Sequence, residues 1–134
     1  MDLNIQSIPL EIHIRLGNMA FYYAAIMTIW AIWRIYKKHG VDSNYWWASI
    51  IAEILLLLQG VFGVYLYYFT DIKLARPVHA IYGVASALIL PIGYAVSRGH
   101  KERRDMIIYG VAFLCLAVLT AFALDSAGMI LTFQ

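Results

Sequence analysis

Four apolar stretches, each close to the length of a membrane span, fill almost the whole chain and leave little else to fold. They run over residues 9–36, 45–69, 77–97 and 106–124, and about 20 apolar residues suffice to cross the hydrocarbon of a bilayer. Backbone amides cannot stay unpaired in lipid, so each stretch is predicted to be a helix. The connections KKHGVDSN, TDIKLAR and RGHKERRD are short enough to force antiparallel neighbours. The expected fold is all-α, an integral membrane antiparallel four-helix bundle running up-down-up-down, with residues 1–134 as one domain. Only 13% of the residues are charged and 63% are hydrophobic, against about 25% charged in soluble domains. The first stretch ends in RIYKK rather than in small residues and is too long for a signal-peptide core, so it reads as a retained span.

The net charge of +2 is too small and too scattered for a nucleic-acid partner, and membrane lipid is the expected surrounding. Cys115 is the single cysteine, which excludes an intramolecular disulfide and a cysteine-based metal site. Seven basic residues (Arg34, Lys37, Lys38, Arg98, Lys101, Arg103 and Arg104) flank the first and third connections, and three (Arg15, Lys73 and Arg76) lie on the other side. The positive-inside bias then places both termini on the outer side of a cell membrane. Trp30, Trp33, Tyr36, Tyr45, Trp46 and Trp47 cluster at one set of boundaries, where amphipathic rings anchor at the headgroup level.

Two histidines carry the functional argument. His13 lies near the start of the first span and His79 near the start of the third. First and third helices run in the same direction and sit diagonally in such a bundle, so the two imidazoles are expected at one depth, facing across the core. That is the arrangement a six-coordinate haem iron requires. Each histidine has a glycine four residues on, in HIRLG (13–17) and HAIYG (79–83). Positions i and i+4 share a helix face, so Gly17 and Gly83 would clear space for the edge of a porphyrin. The second span adds QGVFG, with Gln59, Gly60 and Gly63. The competing readings are close helix packing for the glycines and wet interfacial side chains for the histidines.

Around the pair, Arg15 and Arg76 are candidates to bind haem propionates, or else snorkel to the interface. Glu11 is a candidate acceptor for a histidine ring N–H. His39 and His100 stand 26 and 21 residues beyond the first pair, about 39 and 32 Å of helix, which points to loop positions and to one haem rather than two. Glu53 falls inside the second span and suits a proton path, a quinone pocket, or a hydrogen bond to Ser49, Ser86 or a tyrosine. Pro91 is expected to kink the third helix, and Ala117 with Ala121 forms a small-residue seam on the fourth.

The histidine-led span with Glu11 and Arg15 beside it, the Gln59-x-x-x-Gly63 span and the His79-x-x-x-Gly83 span together resemble one half of haem A synthase, the family of the cytochrome oxidase assembly proteins. That family is an eight-helix membrane protein built from two four-helix bundles, each holding haem through a histidine pair at the outer side. The resemblance covers helices one to three by motif and helix four by hydropathy. It implies that His13 and His79 are axial ligands, that Gln59 and Gly63 line the intervening helix, and that Glu11 is the catalytic candidate.

The leading expectation is a b-type cytochrome with one haem b per chain. It would transfer single electrons as a homodimer or as a subunit of a larger respiratory or photosynthetic redox complex, with a quinone as a possible partner. One alternative is a half-size, haem-modifying enzyme of the haem A synthase kind, acting as a dimer. The other is a structural membrane subunit without a cofactor.

Overall fold

In a computed structural model of the chain, residues 7–72 and 76–127 are described. They form four helices: α1 (Ser7–Tyr36), α2 (Ser43–Phe69), α3 (Val78–Ser97) and α4 (Arg103–Ser126). All four are long and apolar enough to cross a membrane. The helices form a ring in which α1 packs on α2 and α4, while α3 packs on α4 and more lightly on α2. The backbones of α1 and α3 do not approach each other, and these two helices are a diagonal pair. Pro91 lies within α3 without ending it. Lys73, one of the basic residues expected at the histidine end, lies outside the described residues.

The core follows a spacing of three and four residues, the signature of helices crossing at a shallow angle. On α1 the buried stripe is Gly17, Ala20, Ala24, Met27, Ala31 and Arg34. These small side chains face large ones, chiefly Tyr45 from α2 and Met106, Phe113 and Leu116 from α4. Alternating small against large fills the space between helices without voids. The outward faces carry Ile26, Ile29, Leu57, Val61, Val84 and Leu114, all exposed. Apolar side chains turned outward on all four helices suit a lipid surrounding.

The aromatic cluster divides into two groups. Trp33, Tyr36 and Trp47 are exposed, as interface anchors should be. Tyr45, by contrast, is fully buried. Its hydroxyl donates to the carbonyl of Met27 at 3.1 Å, and the rings of Trp30 and Phe113 lie against it at 5.1 and 6.0 Å. Trp46 packs on Tyr94 and Tyr109. The alanine-rich stripe of α1 leaves room at this level, and rings from α2 occupy it.

Arg34 is likewise buried rather than a solvated flank. Its guanidinium donates to the Gly40 carbonyl (2.6 and 3.1 Å) and to Asp42 (2.9 Å), whose other oxygen caps α2 at Tyr45 N–H. The Val41 N–H donates to the Lys101 carbonyl at 3.1 Å, tying the two basic loops together. A side chain at Gly40 would collide with that same carbonyl. This end of the bundle is a closed clasp, and the opposite end holds the histidines.

Candidate functional site

His13 and His79 meet across the diagonal. Their ring centroids are 6.0 Å apart and their planes are inclined at 74°. Both rings are half-buried, and each is tethered by the helix that follows it in sequence. The Nδ1–H of His13 donates to the Gln59 carbonyl on α2 at 3.0 Å. The Nδ1–H of His79 donates to the Ala123 carbonyl on α4 at 2.9 Å and to Ser126 Oγ at 3.1 Å. A carbonyl can only accept, so each ring carries a hydrogen on Nδ1, and in the neutral imidazole the lone pair is then on Nε2. Among the described residues neither Nε2 has a hydrogen-bond partner.

These carbonyls are already engaged in their own helices, and local sequence decides why an imidazole can reach them as well. On α2 the residue one turn beyond Gln59 is Gly63. A Cβ there would sit 3.1 Å from Cε1 of His13, so the absence of a side chain lets the ring lie against the helix backbone. Gly63 thus admits the imidazole of His13 against the backbone of α2. On α4 the Ala123 carbonyl belongs to the last turn, where it accepts from the Ala127 N–H at 3.2 Å and from the Ser126 hydroxyl at 2.8 Å. Helix ends present carbonyls outward with partial negative charge, and His79 uses one. Ala123 and Ser126 carried no motif in the sequence.

The paired glycines are not equivalent. A Cβ on Gly83 would meet nothing within 4 Å, and the same holds for Gly60. At Gly17, however, a Cβ would stand 2.8 Å from Nε2 of Gln59 and 3.5 Å from Leu124. The space beside Gly17, expected to be clear for a porphyrin, is taken by the Gln59 carboxamide, a flexible chain end that can swing away.

The charged neighbours also sit differently from expectation. Glu11 is exposed and pairs with Arg15 one turn on, with Nε to Oε1 at 3.0 Å, so it does not receive a ring N–H of His13. Arg76 is exposed just ahead of α3, and its carbonyl accepts the His79 backbone N–H at 3.1 Å. Glu53 has one carboxyl oxygen buried without a partner. The hydroxyls of Ser49 and Ser86 donate instead to Tyr45 and Tyr82 of their own helices. His39 and His100 are exposed at the basic end.

The donor set can be tested against the group it suggests. Two imidazoles bound on opposite sides of one metal, at about 2.0 Å per bond, have ring centres about 6 Å apart, and the observed separation is 6.0 Å. Among the described residues no third histidine, cysteine or acid joins them to form a metal-binding group. Zinc takes three or four protein ligands, whereas haem iron brings four ring nitrogens of its own and asks only for axial donors. Carbonyl-tethered Nδ1–H groups are also the usual outer support of a ligating histidine. The separation suits two imidazole donors on one metal, and the Gln59 amide occupies the Gly17 notch beside them. No family model, characterised protein or solved structure matches the chain.

Proposed function

We propose that this four-helix membrane protein is a b-type cytochrome that holds one haem between His13 and His79 and passes single electrons. One observation carries the reading: two imidazoles from diagonal helices, each with Nδ1 committed to a backbone carbonyl, lie 6.0 Å apart with both Nε2 lone pairs unspent. A bound haem supplies reversible one-electron chemistry. The chain's part is to hold both rings in a fixed tautomer, to surround them with apolar helices, and to offer Arg15 and Arg76 at the outer rim to carboxylates. Gly60 and Gly83 lie on exposed helix faces and border no enclosed space. The basic clasp is read as the inner side of a cell membrane, which puts the haem near the outer face. The resemblance to half a haem A synthase supports the same ligand pair, and a second copy of the chain or a larger redox complex is the natural electron partner.

The test is an optical spectrum of detergent-solubilised protein expressed with ample haem. A low-spin bis-imidazole spectrum with a sharp reduced α band is expected. His13→Ala and His79→Ala should each abolish haem retention, and colourless wild-type protein would refute the reading. The pigment extracted and weighed should be unmodified haem b. A hydroxylated product whose formation depends on Glu11 would instead assign haem modification.

A further inference from the structure

The two tethers differ, and the difference falls on ring orientation. His13 is held by one acceptor, the Gln59 carbonyl. His79 is held by two, the Ala123 carbonyl and Ser126 Oγ. The Ser126 side chain is buried, at 4% exposure, and its own hydrogen is spent on that same Ala123 carbonyl at 2.8 Å. Its oxygen is thereby oriented with lone pairs free for the His79 Nδ1–H. A single acceptor fixes where an N–H points but leaves the ring free to rock about that line. Two acceptors three residues apart in one helix turn restrict the rocking as well.

We propose that Ser126 is a positioning residue. With the Ala123 carbonyl it clamps the plane of His79 and keeps it crossed against His13, at the 74° seen between the rings. The inference rests on the haem reading, because crossed rings have a consequence only when both bind one iron. Parallel imidazoles lift the near-degeneracy of the two iron d orbitals that lie out of the haem plane, and crossed imidazoles preserve it. The ferric protein should therefore show a strongly anisotropic low-spin electron paramagnetic resonance signal with a single large g feature, rather than the rhombic three-line pattern of parallel rings.

The experiment compares wild type with Ser126→Ala and Ser126→Thr, which keeps the hydroxyl. In haem-free protein, nitrogen-15 resonances of the histidine side chains report the tautomer. His13 and His79 should both be Nδ1–H in wild type. Ser126→Ala should keep the Nδ1–H tautomer at His79, because the Ala123 carbonyl remains, but should increase the mobility of the His79 ring, read from the relaxation of the same nitrogen resonances, and leave His13 unchanged. In loaded protein the large-g signal should move toward the rhombic pattern in Ser126→Ala and return in Ser126→Thr. An unchanged His79 ring mobility with an unchanged paramagnetic resonance signal in Ser126→Ala overturns the assignment, as does a shift that Ser126→Thr fails to reverse. Wild-type protein that takes up no haem refutes the underlying reading instead, and the nitrogen resonances then decide the clamp by themselves.

Discussion

The α1–α2 and α3–α4 hairpins perform the same task with different parts. In each, a histidine near the start of the first helix reaches a backbone carbonyl on the second, 46 residues later in one hairpin and 44 in the other. In the first hairpin the carbonyl lies in mid-helix, and Gly63 makes it reachable by leaving the backbone bare. In the second it lies in the closing turn, where the helix end already presents it and Ser126 supplements it. What the two share is a backbone acceptor in a fixed place rather than a pair of matching side chains. A backbone acceptor costs no side-chain entropy and cannot be lost by point substitution, though access to it can be.

The largest effect expected from breaking this comparison is therefore steric. Gly63→Val should push the His13 ring away from the Gln59 carbonyl, because even a Cβ at that position lies 3.1 Å from Cε1. Haem affinity should fall by tenfold or more, equivalent to about 1.4 kcal/mol, measured by titrating haem into the purified apoprotein. Valine at 63 with wild-type affinity would show that the ring does not depend on the notch, and the contrast between the hairpins would collapse.

This contrast also marks how far the residues could be read before the fold was seen. Apolar length and short loops were enough for four antiparallel helices, and the alternation of direction made α1 and α3 a diagonal pair. The histidines at matching depth were legible for the same reason. The partners of their Nδ1 groups were not, because a carbonyl is present at every position and side-chain identity says nothing of which one is approached. Gly63 signalled a close approach without saying by what. Arg34 and Tyr45 flank the first connection as expected, but their burial was not legible, because it comes from tertiary contacts with Gly40, Asp42 and Met27.

A smaller effect should separate the two glycines that follow the histidines. Gly83→Ala meets nothing within 4 Å, so it should raise the stability of the apoprotein by about 0.5–1 kcal/mol through the backbone freedom removed from the unfolded chain. Gly17→Ala places a Cβ 2.8 Å from the Gln59 amide. It should show no such gain, because that amide must leave its notch. Thermal unfolding in one detergent measures both. Equal stabilisation by the two substitutions would mean that the amide moves freely and that the asymmetry has no energetic content.

The smallest effect is the most diagnostic of how the first hairpin works. Gln59 contributes its carbonyl to His13 and its carboxamide to the space beside Gly17, and only the first of these is tied to the proposed ligand. Among the described residues the carboxamide has no hydrogen-bond partner, and a polar group without one is costly in an apolar setting. Gln59→Leu retains the backbone carbonyl and replaces the amide with a side chain of similar reach. Haem affinity should stay within about twofold, roughly 0.4 kcal/mol, and the apoprotein should be no less stable. The Nδ1–H tautomer of His13, followed by its nitrogen resonances, should not change. A loss of haem as complete as in His13→Ala would place the function in the side chain and remove the backbone carbonyl from its central role.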